Sequence, residues 1–176
     1  GMKTLLFNHE LDDHLLSEIG EIPLPPYIKN KRAADTRDDL WYQTVFSKNT
    51  GSMASPTAGL HFSEKLLHEI EKKGVTIKYV TLHISLATFH PIRTDIIEAH
   101  KIHEEFFFVS SDTAEAIKTA RKNGSKVFAV GTTAVRALES ASVTGEIAAG
   151  TGLTNLYITP GYSFKSCDAM ITNFHT

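Results

Sequence analysis

Hydrophobic and polar positions along the chain alternate between two rhythms. In residues 63–74, "SEKLLHEIEKKG", Leu66, Leu67 and Ile70 recur at helical spacing, with Ser63 placed to cap, Glu64 in the first turn, lysines in the last and Gly74 at the stop. Residues 75–84, "VTIKYVTLHI", change to a β-branched run that predicts a strand. The same order returns. Residues 111–124, "SDTAEAIKTARKNG", predict a helix capped by Ser111 or Asp112, with Ala116, Ile117 and Ala120 on its apolar side and Gly124 ending it. Residues 126–130, "KVFAV", predict the strand that follows.

Helix followed by strand, twice, predicts α/β architecture, with strands 75–84 and 127–130 pairing in a parallel or mixed sheet covered by helices. Residues 2–7, "EEFFFVS" at 104–110 and "TNLYITPGYSF" at 154–164, the last a strand followed by a Pro-Gly turn, add further candidate strands, about five in all. Residues 12–19 read as a short helix with Leu15, Leu16 and Ile19 on one side. In "GEIPLPPYIKNKR" (20–32), Pro23, Pro25 and Pro26 argue for an extended connector instead of a helix.

Length and composition narrow the class. A chain of 176 residues suits one domain, or a domain with part of a second. One cysteine, Cys167, cannot form an internal disulfide, and neither a signal segment nor an apolar run of membrane length is present. The expectation is a soluble cytoplasmic protein with no membrane partner. Eighteen basic and twenty acidic residues give a net charge of −2, which argues against binding nucleic acid by bulk charge. Two local basic groups remain, Lys29, Lys31, Arg32 and Arg37, and Lys118, Arg121, Lys122 and Lys126. A solvated surface is the stronger reading of each.

Candidate chemistry is concentrated in four places. "VGTTAVRALES" (130–140) runs from a strand through Gly131 into a helix that Thr132 or Thr133 could cap, with its amides free for a carboxylate, phosphate or ribose hydroxyl. Taken alone, it reads more readily as an ordinary turn. "EAHKIHEE" (98–105) spaces His100 and His103 by three among Glu98, Glu104 and Glu105. That spacing can serve a metal, but no clear third ligand accompanies it, so polar substrate contacts or plain surface are favoured. His61 in "PTAGLHF" (56–62) and His83 in "TLHISLATFHPI" (81–92) fall at a loop-to-helix start and a strand end. Either could move protons there, or be a core histidine satisfied by backbone. A Walker lysine, G-x-G-x-x-G and G-x-S-x-G are absent from the sequence.

Together these stretches, with "GEIPLPPYI" (20–28), "YQTVF" (42–46), "EAHKIHEEFF" (98–107) and "PGYSFKSCDAMITNFH" (160–175), resemble the S-adenosylmethionine:tRNA ribosyltransferase-isomerases of queuosine biosynthesis. The chain departs from that pattern at Ser85 and Ala87, where the family usually has glycine, and at Trp41, where a basic residue is common. The resemblance implies a three-layer α/β/α fold with a parallel or mixed sheet. It also implies that residues 1–19 are a remnant of an inserted β-barrel and connector, and residues 20–176 an α/β catalytic-type domain truncated at its C-terminus.

The implied reaction moves and isomerises the ribosyl part of S-adenosylmethionine onto 7-aminomethyl-7-deazaguanine in a tRNA anticodon loop, giving epoxyqueuosine, adenine and methionine. The implied roles are proton transfer for His61 and His83, and substrate contacts for His100, His103, Glu104, Asp168, Asn173 and His175. Gly131, Thr132, Thr133 and Arg136 are the implied S-adenosylmethionine contacts; no metal is expected, and a monomer is the default. The competing expectation, of another class, is a catalytically inactive binding or assembly domain.

Overall fold

The computed structural model describes residue 4, residues 6–85 and residues 102–173. Its elements run α1 (Asp13–Ile19), α2 (Pro26–Lys29), α3 (Asp38–Trp41), a 3-10 turn (Thr57–His61), α4 (Glu64–Lys72), β1 (Val80–Leu82), β2 (Glu105–Val109), α5 (Ser111–Lys122), β3 (Phe128–Val130), α6 (Thr132–Ser140), β4 (Gly150–Thr154) and β5 (Ala169–Ile171). The architecture is mixed α/β. Among the described residues β1, β2 and β4 form an antiparallel sheet in that order, and β3 pairs with β5 in parallel.

The predicted pairing of strands 75–84 and 127–130 is therefore replaced. β2 carries Phe107 and Val109 inward and Phe106 and Phe108 outward, and its two edges are taken by β1 and β4. β3 instead finds β5, in the register Phe128↔Ala169, Ala129↔Met170, Val130↔Ile171. Helix α6 lies against β1, β2, β3 and β4 and so joins the two sheets. Its Val135, Ala137 and Leu138 meet Phe107, Val109, Ala114, Ile117, Ala129, Ile147 and Cys167 in the core.

Local signals fared unevenly. Helix α4 forms where expected, with Ser63 Oγ accepting from Leu66 N at 3.2 Å. Helix α5 is capped one residue earlier than expected, by Ser110, whose Oγ accepts from Thr113 N and donates to Thr113 Oγ1. The proline segment is not wholly extended. Pro26 opens α2 at the first helical position, where a missing N–H costs nothing. The strand expected at 154–164 lies earlier, at Gly150–Thr154, because Thr154 turns its hydroxyl to Ser140 and to Leu156 N. Of the candidate strand at 2–7, the described residues Thr4, Leu6 and Phe7 are not in a strand, and the rest lies outside the described residues. Among the described residues no helix is long and apolar enough to cross a membrane.

Candidate active site

His83 follows directly on β1. Its N–H donates to the Phe106 carbonyl at 2.9 Å, extending the β1–β2 ladder by one residue, and its ring stacks on Phe106 with centroids 5.4 Å apart. The segment 51–55 runs alongside. Met53 N donates to Ile84 O at 2.9 Å, Ser52 Oγ accepts from Ile84 N at 3.1 Å, and a Cβ on Gly51 would stand 3.2 Å from the His83 ring. On these two segments three buried polar atoms, His83 Nδ1, Ser55 Oγ and Ser85 Oγ, have no hydrogen-bond partner among the described residues. Buried polar atoms are nearly always paired, so a group of three marks a place with hydrogen-bonding capacity to offer.

Beneath it lies a buried ion pair. Glu105 is 1% exposed; its Oε1 accepts from Ser85 N at 3.1 Å and its Oε2 is bonded by Arg136 Nη1. Arg136 also donates to the carbonyls of Leu156 (3.1 Å), Thr154 (3.1 Å) and His103 (3.3 Å). The guanidinium thus braces α6 against the ends of β2 and β4, and the carboxylate it neutralises fixes the backbone two residues beyond His83. The alternation along "EEFFFV" puts Glu105 on the face of Phe107 and Val109, a signal that could have singled it out over Glu104, which is exposed.

The start of α6 forms a second locus. Gly131, not Thr132 or Thr133, takes the N-cap position; its φ of 91° is a conformation that side chains resist, and no side chain caps the helix. Gly131 N donates to Ile171 O at 2.8 Å, so the carboxyl ends of the parallel strands β3 and β5 meet there. Thr132 is exposed, Thr133 is half-buried, and half-buried Asn173 follows two residues after β5. This is where open parallel strands commonly present a ligand site.

Other expected residues are placed apart. Asp168 lies at the opposite end of the β3–β5 pair, where its carboxylate accepts from Val127 N at 2.8 Å and faces Lys126 at 3.7 Å. That amide, with the two cations Lys126 and Arg121 adding to it, holds the Asp168 carboxyl below its ordinary range. His61 ends the 3-10 turn and is exposed, as are His103 and Glu104. His100 and His175 lie outside the described residues. Among the described residues no three His, Cys, Asp or Glu side chains gather in an arrangement able to hold a metal.

Two motifs pack on each other where Gly59 of "PTAGLHF" meets "YQTVF": a Cβ there would come 2.7 Å from Phe46 Cζ and 2.9 Å from Thr44 Cγ2. At Trp41 the Arg37 guanidinium lies over the indole, 4.8 Å from its centroid, and binds Asp35. Arg32 similarly forks onto the buried Asp38, so half of the first basic group is neutralised internally.

A further buried carboxylate was missed by sequence reasoning. Glu139, 1% exposed, accepts from Ser166 N and Oγ, Lys165 N, the Tyr162 hydroxyl, and Cys167 N and Sγ. Burial opposes its ionisation, but the amides of Ser166 and Lys165 and the two hydroxyls prevail and hold its pKa below the ordinary value. Burial and this carboxylate push the Cys167 thiol up to about 12, which keeps it protonated and unsuited to nucleophilic or thiolate chemistry. The spacing Val135, Leu138, Glu139 on α6 marks the same buried face.

Fold and site define an α/β domain with a histidine at a strand end and an uncapped helix start at the carboxyl ends of a parallel strand pair. The chain belongs to the family described as queuosine biosynthesis protein, whose family model it matches over residues 1–176. It is 51% identical over 164 residues to the S-adenosylmethionine:tRNA ribosyltransferase-isomerase of Caldanaerobacter subterraneus, covering 93% of this chain and 47% of that protein. With the enzyme of the same name from Halothermothrix orenii it shares 48% over 177 residues, covering 99% and 51%. The crystal structure of S-adenosylmethionine tRNA ribosyltransferase from Thermotoga maritima superposes with a TM-score of 0.53 at 37% identity, covering 67% of this chain and 36% of that one. The chain spans about half the length of the curated relatives it matches.

Proposed function

We propose that this chain supplies the core of an S-adenosylmethionine:tRNA ribosyltransferase-isomerase. The substrates are S-adenosylmethionine, as ribosyl donor, and a tRNA presenting 7-aminomethyl-7-deazaguanine in its anticodon loop. The products are epoxyqueuosine in the tRNA, adenine and methionine. Identity near 50% to relatives bearing that name supports the reading. The observation that carries it is the buried His83 Nδ1, with no partner among the described residues, together with the equally unpartnered hydroxyls of Ser55 and Ser85.

In this reading the sulfonium acidifies the neighbouring ribose carbon protons, and His83 exchanges a proton with the reacting sugar through Nδ1. Ser55 and Ser85 accept and donate to ribose hydroxyls. The free amides of α6, with Thr132 and Thr133, receive the methionine carboxylate, where the helix dipole favours negative charge. Arg136 reaches the substrate indirectly: through Glu105 it holds Ser85, and so the strand end that carries His83. His61, exposed at its turn, is the second proton-transfer candidate. His103, Glu104 and Asn173, with His100 and His175 beyond the described residues, are candidate contacts to the tRNA base. Asp168 keeps only a weaker claim, because its carboxylate is engaged by Val127. The proposed layout remains an α/β domain from residue 20 onward, with residues 1–19 entering from a barrel insertion.

The test is adenine release from S-adenosylmethionine in the presence of the aminomethyl-deazaguanine tRNA. His83→Ala is expected to slow it by about 10²–10⁴-fold, the usual worth of a positioned acid or base, without changing the far-ultraviolet circular dichroism. An unchanged rate removes His83 from the chemistry. A folded wild-type chain that neither binds S-adenosylmethionine by calorimetry nor releases adenine refutes the enzymatic reading and favours a binding domain.

A further inference from the structure

We infer that a basic cleft formed by α5 and the segments around residues 146 and 165 binds the phosphodiester backbone of RNA. The cleft has a volume of about 260 Å³, and Lys118, Arg121, Lys122, Lys165, Glu146 and Ser166 are in its lining. A water occupies about 30 Å³ in the liquid, so a phosphate group with part of its hydration shell fits. The lining carries four cations and one carboxylate, with Glu115, Asp168 and Glu139 next to it, in a chain whose net charge is −2. Within the lining itself cations outnumber carboxylates, and a basic surface of this kind is what attracts a polyanion to one face.

Helical spacing explains part of this: Lys118, Arg121 and Lys122 stand at i, i+3 and i+4 on α5. Arg121 and Lys122 also complement the C-terminal end of the helix dipole, a role that needs no ligand. The dipole does not account for Lys165, which reaches the cleft from a different segment. Its N–H donates to Glu139 Oε2 at 2.9 Å and its ammonium to the Val143 carbonyl at 2.9 Å, so the side chain is held in place with N–H donors to spare.

Lys118 has a carboxylate 3.3 Å away in Glu115, both exposed, a pairing weak enough for phosphate to displace. Arg121 feels Asp168, though among the described residues its guanidinium makes no hydrogen bond, and Lys122 has no ion-pair partner there. Ser166, at the floor, bonds Glu139. Glu139 lies eight residues along α6 from Gly131, roughly 12 Å at 1.5 Å per residue. One RNA could thus lay its backbone in the cleft while a base occupies the site near the α6 start.

The inference rests on the tRNA-substrate reading above, and its test separates the two. Fluorescence anisotropy measures tRNA binding by wild type, by K118Q/K122Q and by the control K29Q/K31Q, between 50 and 300 mM KCl as working salt concentrations chosen around the physiological range, roughly 150 mM. Loss of two phosphate contacts should flatten the slope of log K against log salt by about 1.4–1.8. At about 100 mM salt it should weaken binding roughly ten- to hundredfold. The control should not change, nor should S-adenosylmethionine binding by the cleft variant, whose thermal midpoint should fall by no more than about 4 °C from the weakened dipole complement.

A cleft variant that binds tRNA like wild type, with the same slope, overturns the inference and leaves the enzymatic reading standing. Calorimetric binding of inorganic phosphate that the variant loses while tRNA affinity is unmoved makes this a small-anion site and also overturns it. A wild-type chain that binds S-adenosylmethionine but no tRNA overturns the cleft alone; one that binds neither overturns both.

Discussion

Replacing Glu139 with glutamine tests whether α6 and the segment leading into β5 are held by one carboxylate. The substitution keeps shape and volume but turns one oxygen into an NH₂ group. In the wild type each oxygen receives at least two donors: Oε1 takes Ser166 N and Oγ at 2.9 and 2.8 Å, and Oε2 takes Lys165 N and the Tyr162 hydroxyl at 2.9 and 3.0 Å. Either orientation of the amide therefore sets its NH₂ against two N–H or O–H donors. The hydroxyl can turn away, but the backbone N–H cannot. With a lost charge-assisted hydrogen bond worth about 1.5–3 kcal/mol and a stranded donor about 1–3 kcal/mol, E139Q should cost roughly 2.5–6 kcal/mol.

Urea unfolding followed by circular dichroism at pH 7.5, a working pH about where most native proteins are near maximal stability, measures it. At an m-value of about 2 kcal/mol per molar, the midpoint should fall by about 1–3 M. The pH dependence supplies a second readout. The folded-state pKa of Glu139 lies below its ordinary value of 4.5, so its contribution is complete above that value and is lost as pH falls through the folded pKa. The variant should accordingly lose less stability than wild type between about pH 6 and pH 3. A midpoint shift below about 0.3 M, with parallel acid titrations, would refute the account of Glu139 as the tie.

Other predictions follow from the same packing. Arg136→Met removes the guanidinium from the buried Glu105; removing one partner of a buried pair costs about 3–5 kcal/mol, which calorimetry should register as a melting point lower by about 10 °C. The double variant E105Q/R136M should recover part of that loss. Gly131→Ala must hold alanine at a φ of 91° with its Cβ 3.2 Å from Thr133 Oγ1, and should cost about 1–3 kcal/mol in urea unfolding. Gly59→Ala drives a methyl into Phe46 and Thr44 and should cost about 1–3 kcal/mol by overpacking, whereas Gly145→Ala, whose Cβ meets nothing within 4 Å, should show only the strain of its φ of 103°, about 1–3 kcal/mol.

Segments whose structure is decided locally were legible in the chain. Helix α4 is one: cap, apolar spacing, last-turn lysines and stopping glycine all lie within about a dozen residues, and it forms as read. Motif order was legible too, since seven quoted stretches were enough to place the chain in a family that its whole length then matched.

Pairing was not legible. Nothing within "VTIKYVTLHI" or "KVFAV" says that β2 will stand between β1 and β4 while β3 takes β5, because a strand's partner is chosen by which edges remain open once the core is packed. The site divided along the same line. The sequence by itself determined which side chains were available, His83 at a strand end and the Gly131 turn before a helix. Only the tertiary structure decided that Glu105 and not Glu104 is buried, that Arg136 is engaged by Glu105 and three carbonyls, that Asp168 faces the opposite end of its strand pair, and that Lys165 joins Lys118 and Lys122 around one cleft. Each of those outcomes depends on contacts between residues 18 or more positions apart, and such contacts exist only after the chain has closed on itself.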